Sequence, residues 1–203
     1  MTNIVLQLKT LFLVCLFISI CESAQAKYFF EPMLSYQQGQ QDFQYEVTVP
    51  VFGGQSAKSA INGWGLGFGI GMKLENKISI GIDAQAHFLN VGSNSVSNSS
   101  TSSKQFSEYI FAGYDVAPKF NLYFGLGAMQ AQNDTTPAST DTASAAKIGL
   151  SYAEKEPYVG FVEAATFTMG SNTANGITTR YDATYKNFSY SVLSVGVKYP
   201  FSF

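Results

Sequence analysis

Few side chains in this sequence can do reactive chemistry. There is one histidine, His87, and the cysteines are Cys15 and Cys21. A histidine serving as a general base needs a nucleophile and an orienting acid beside it, yet His87 is followed by Phe88 and Leu89. A metal centre needs several ligands at suitable spacing, and a lone histidine supplies one. No catalytic residue, metal or cofactor is therefore expected. More informative are the charges set in otherwise uncharged stretches: Glu31, Lys73, Asp83, Asp115, Lys147 and Lys198. A charge withdrawn from water is costly unless paired, so these positions predict a structural ion-pair network. A gate or proton relay is the sharper use of the same groups.

These charges sit in segments whose hydropathy alternates with a period of two residues. In 60–74, Asn62, Trp64, Leu66, Phe68, Ile70, Met72 and Leu74 share one face, while Gly63, Gly65, Gly67, Gly69, Gly71 and Lys73 share the other. A helix through so many glycines loses about 1 kcal/mol at each relative to alanine. A half-buried soluble strand sets polar residues, not bare backbone, opposite its apolar face. Lipid on the bulky side and a narrow interior on the small side satisfy both. The run is no phosphate loop, which needs a strand-to-helix turn.

Similar alternation recurs at 28–37, 78–89, 106–116, 120–130, 145–153 and 188–203, and places all six charges on the inward face. In 158–169 the phase is ambiguous: turning Glu163 inward takes Phe161 and Phe167 with it, and a bulge would reconcile the two. With this segment the count is eight. The connections alternate in length: short ones at 75–77, 117–119 and 154–157, long polar ones at 38–59, 90–105, 131–144 and 170–187. Short periplasmic turns and long outer loops are the habit of transmembrane barrels, so both ends of the barrel chain belong in the periplasm. Stretch 90–103, rich in serine and asparagine, is expected to be mobile. In a closed barrel the first strand neighbours both the second and the eighth, so Glu31 is expected to pair with Lys73 and Lys198 and close the periplasmic end. Asp83, Asp115 and Lys147 then extend the network.

The N-terminus reads as an address. Lys9 precedes the apolar stretch 11–20, and Ala24 and Ala26 flank Gln25 as a signal peptidase requires. Residues 1–26 are thus expected to be a cleaved secretory signal, and 27–203 the barrel. Both cysteines fall in the removed piece, leaving the rest without disulfide or thiolate chemistry. The 203 residues are 46% hydrophobic and only 13% charged, against about 25% charged in soluble domains. A single arginine, Arg180, and a net charge of −2 exclude a nucleic-acid-binding footprint. Tyr28, Tyr36, Trp64, Phe88, Tyr114, Tyr152, Tyr158 and Tyr199 near strand ends suit two interfacial girdles.

At the C-terminus Tyr199, Phe201 and Phe203 alternate with Lys198, Pro200 and Ser202. This resembles the terminal aromatic signature of bacterial outer-membrane barrels. Together with the signal and the eight segments, the chain resembles the small OmpA/OmpX-type or opacity-family barrels. The resemblance implies an all-β, eight-stranded antiparallel transmembrane barrel in a Gram-negative outer membrane, with no peptidoglycan-binding domain after Phe203. Its implied partners are outer-membrane lipid and lipopolysaccharide, the barrel assembly machinery, and a surface ligand of unknown identity. The implied function is non-enzymatic: envelope integrity or surface recognition through the loops. One alternative is a narrow, OmpW-like channel for small or hydrophobic solutes. Another is lipid A modification centred on His87, although the deacylases' His-x-Ser spacing is absent.

Overall fold

The computed structural model describes residues 26–45, 56–74, 77–93, 100–134, 138–155, 157–180 and 185–203. The expected signal, up to residue 25, and 94–99 of the stretch expected to be mobile lie outside them. The strands are β1 (Lys27–Tyr45), β2 (Ser56–Lys73), β3 (Ile78–Val91), β4 (Thr101–Ala117), β5 (Phe120–Asn133), β6 (Ser139–Lys155), β7 (Tyr158–Ala174), β8 (Ile177–Arg180), β9 (Tyr185–Lys198) and β10 (Phe201–Ser202). Each of β1 to β7 pairs antiparallel with the next, and β9 pairs with both β7 and β1. That closes an eight-strand ring, which leaves no unpaired edge in lipid. The arm β8 extends β7 through Asn175 and Gly176, both at positive φ (51° and 75°), as a two-residue hairpin turn requires.

Register sets the shape. Stepping from partner to partner around the ring runs Lys73, Ser79, Gly113, Tyr123, Gly149, Glu163, Ser194, Gln37 and Gly63. The path returns to β2 ten residues away (73 − 63), a stagger that tilts the strands. At the seam, Met33 faces Lys198 and Phe30 faces Phe201, so β10 continues the register of β9 along β1. The break between them falls at Pro32 and Pro200, which have no N–H to donate. Beyond it, Tyr28 and Phe203 exchange backbone hydrogen bonds of 3.2 and 3.1 Å.

Along β3 the outward apolar face runs from Ile78 to Phe88. At about 3.4 Å per residue and a tilt of about 40°, that is about 25 Å, the height of the apolar band on outer-membrane barrels. Past Trp64 and Phe88 the polarity of the two faces inverts without a change of parity. Outward positions become Asn62, Asn90, Gln130 and Gln132, and inward ones become Ile61, Leu89, Met129 and Ala131, all buried. This inversion corrects the expected loop boundaries: β1 runs on to Tyr45, β4 starts at Thr101 inside the serine-rich stretch, and β6 starts at Ser139. The strands continue above the membrane as a soluble-type barrel, wet outside, with apolar residues within beside the buried polar side chains of Ser59, Ser103, Gln105 and Asp141. Met72 keeps its outward parity but is fully covered between its register partners Tyr28 and Ile80.

The structure also resolves β7. Phe161, Glu163, Ala165, Phe167 and Met169 all point inward, while Val162, Ala164, Thr166 and Thr168 point outward. No bulge interrupts this run. The irregularities against β6 lie on either side of it: at Gly170, where Thr142 faces Ser171 and Ala143 faces Met169, and at the turn end, where Tyr152 faces Gly160 and Lys155 faces Tyr158.

Candidate functional site

The candidate site is the barrel interior, which divides into a charged half at the turn end and a packed half at the outer end. In the charged half, Lys147 of β6 reaches Asp83 of β3 at 2.6 Å and Glu163 of β7 at 2.8 Å. All three side chains are at least 96% buried, with exposures of 1%, 4% and 3%. Lys147 and Glu163 are diagonal neighbours in the ladder, since Gly149 faces Glu163. Asp83 comes from across the lumen. The Tyr123 hydroxyl donates to Glu163 (3.2 Å) and the Gln85 amide to Asp83 (3.5 Å). The ammonium also lies 4.3 Å from the centre of the Tyr109 ring, a cation–π contact in a desolvated setting.

Glycines make room for this arrangement. A Cβ on Gly149 would run into the Tyr123 ring, and one on Gly196 into Phe161. Rings from neighbouring strands thus take the space at Gly65, Gly149 and Gly196, while Gln85 and Met33 approach Gly67 and Lys147 approaches Gly125.

Nearer the turns, Lys198 stands 3.6 Å from Glu31 and over the Tyr123 and Phe161 rings at 4.7 and 5.3 Å. Lys73 pairs with Asp115 at 2.5 Å, and Asn121 donates to the same carboxylate at 2.9 Å. A cavity of about 230 Å³ opens here, bounded above by Asp83 and Tyr123.

In the outer half the interior is packed chiefly by apolar side chains. Phe167 and Tyr190 stack with ring centres 4.3 Å apart, among Ile61, Leu89, Met129, Met169 and Val192. Tyr190 donates to the Gln105 side chain at 2.5 Å, and the Gln37 amide reaches the same oxygen at 3.5 Å. His87 lies just below, its Nε2 3.1 Å from Ser35 Oγ, with its ring in the space left by Gly65. Both are buried, and His87 Nδ1 has no hydrogen-bond partner among the described residues. The pair resembles two of the three members of a catalytic triad, and among the described residues no acid is hydrogen-bonded to the imidazole Nδ1 to orient it.

All six charges read from the sequence point inward, but they form three separate groups. Glu31 pairs with Lys198 and not with Lys73, because Asp115 lies within reach of Lys73 across the tilted sheet. Asp83 and Lys147 form the middle group, and its third member, Glu163, was not among the expected site residues. The signal for it was a lone acid in an aromatic strand, obscured by the assumption that aromatics face lipid. The apolar outer plug was also missed, since its residues lie largely where loops were expected.

No protein-family model and no curated protein matches the sequence. Solved structures do. Neisserial surface protein A is 16% identical with a TM-score of 0.50, over 84% of this chain and 96% of its own. Ail, the attachment invasion locus protein of Yersinia pestis, is 13% identical with a TM-score of 0.49, over 86% and 98%. OprG of Pseudomonas aeruginosa is 13% identical with a TM-score of 0.45, over 88% and 97%. What the chain shares with Neisserial surface protein A is the fold.

Proposed function

We propose that this protein is an outer-membrane barrel that works as a closed, non-enzymatic post, presenting a polar strand rim for recognition at the cell surface. The observation that carries this reading is the polarity inversion. Below it the outer face suits lipid; above it the strands continue with water-facing side chains such as Gln38, Gln40, Lys58 and Lys104 around an apolar plug. Such a rim is a rigid platform, better suited to contact with a surface partner or with neighbouring lipopolysaccharide than to conduction. Envelope integrity follows from the same closed, lipid-facing structure.

Treatment of intact cells with a membrane-impermeant amine reagent tests this placement. Lys58 and Lys104 should be labelled, and Lys73 and Lys77 only after the outer membrane is permeabilised. The opposite pattern overturns it. Planar-bilayer recordings should show no porin-like conductance, and large steady channels would favour the narrow-channel reading.

The Ser35–His87 contact is the one observation that favours an enzyme. Both residues face into the barrel, screened from lipid by the sheet itself, so no acyl chain reaches them. Unchanged lipid A masses with and without the protein are the expected result.

A further inference from the structure

We propose that the cavity at the turn end of the barrel binds a small oxyanion, a phosphate group, between Lys27 and Lys73. The starting point is a mismatch in the ladder. Lys27 and Lys73 are direct cross-strand partners on the inward face of β1 and β2, where like charges placed opposite each other destabilise a sheet. Both line the cavity. Asp115 compensates Lys73, but Lys27 makes no ion pair among the described residues.

The acids on the cavity wall have cations of their own. Asp83 is held by Lys147 and Glu31 by Lys198. At the mouth, Lys27 is therefore a cation with no acid of its own, beside the hydroxyls of Ser79 and Ser202, which can donate to an anion, while the acid that balances it, Glu163, lies buried deeper in the barrel and shares Lys147 with Asp83. An oxyanion placed there turns a like-charge contact into two charge-assisted hydrogen bonds.

Size narrows the ligand. The cavity is about 230 Å³, below the roughly 300 Å³ at which ordinary small-molecule pockets begin. That suits a phosphate with a compact substituent and excludes a large glycan. The phosphate has two possible sources, a soluble phosphate compound or a phospholipid headgroup at the adjoining rim, where Tyr28 stacks on Phe203.

The test uses the barrel purified from expressing cells in phosphatidylcholine nanodiscs. Unfolding is followed by the fluorescence of Trp64, the single tryptophan. Inorganic phosphate, titrated against chloride at constant ionic strength, should raise the unfolding temperature saturably. Lys27→Gln should weaken the apparent affinity at least tenfold while leaving stability in chloride unchanged or higher, because it removes repulsion. Lys104→Gln, at the outer end, should bind as wild type does. Heat-modifiable gel mobility verifies that each variant is folded, and Lys27→Arg should retain binding. Replacing the lipid by phosphatidylglycerol separates the sources: competition with phosphate identifies the headgroup, and its absence identifies the soluble compound. No saturable shift with phosphate, or full affinity in folded Lys27→Gln, overturns the proposal.

Discussion

The two halves of the interior close the barrel by different physics. In the turn-end half, Lys147 stands between Asp83 and Glu163 with almost no exposure, and closure is electrostatic. In the outer half, Phe167 and Tyr190 stack among methionine and aliphatic side chains, and closure is steric and hydrophobic. The difference follows the surroundings. Where the outer face meets lipid, apolar residues are spent outside, and a narrow interior takes glycines, charges and the rings that fill the glycine spaces. Where the outer face meets water, apolar residues can turn inward as they do in any soluble domain.

The comparison predicts unequal responses to substitution. The largest effect belongs to Lys147→Met, which leaves Asp83 and Glu163 buried without their cation. It should cost about 3–5 kcal/mol of stability, measured by urea unfolding in lipid vesicles. Adding Asp83→Leu and Glu163→Leu should restore most of that loss, because replacing a whole buried ionic group by apolar residues is often nearly neutral. Failure of that restoration would mean that the group does more than balance its own charges.

Next is Phe167→Ala, expected to cost about 3 kcal/mol through lost burial and the cavity left behind. It has no charge to strand, so no partner substitution should rescue it except a larger side chain facing it. Neither this variant nor Lys147→Met should conduct in planar bilayers, since each leaves the other closure standing. The two together should conduct if the closures are independent, and a silent double variant would merge them into one.

Tyr190→Phe is smaller. It removes the donor to Gln105, whose oxygen keeps the long contact from Gln37, and should cost about 1–2 kcal/mol by the same unfolding assay. Smallest is Glu31→Gln. Its partner Lys198 is 3.6 Å away and retains two aromatic rings, while Lys73 keeps Asp115. A partly solvated pair of this kind is worth about 1 kcal/mol or less. A loss comparable to that of Lys147→Met would instead join the turn-end pairs and the central group into one network.

The fold was legible because two signals depend only on local order. Period-two alternation assigns faces from parity alone, and 60–74 showed it without ambiguity. The alternation of short and long connections then counted the strands. The inward direction of Glu31, Lys73, Asp83, Asp115, Lys147 and Lys198 came from the same parity, and all six do point inward. Where parity and hydropathy disagreed the sequence could not decide, as in β7, where aromatics share the face of Glu163. There the deciding factor was room inside: Gly196 opens a pocket for Phe161, and Phe167 stacks on Tyr190 in the outer half.

Strand ends were misjudged for a related reason. Alternation was followed only while the large residues faced outward, and Ile61, Leu89 and Met129 reverse that sense on unbroken strands. Parity along each strand, the number of strands and the lipid-facing belt were therefore properties of the sequence. Which charge meets which was not, because pairing depends on the stagger of ten residues around the ring. That stagger brings Asp115 to Lys73, leaves Glu31 to Lys198, and lets Asp83 cross the lumen to Lys147. Stagger is a property of the closed ring, set when the last strand pairs with the first, and no single segment contains it.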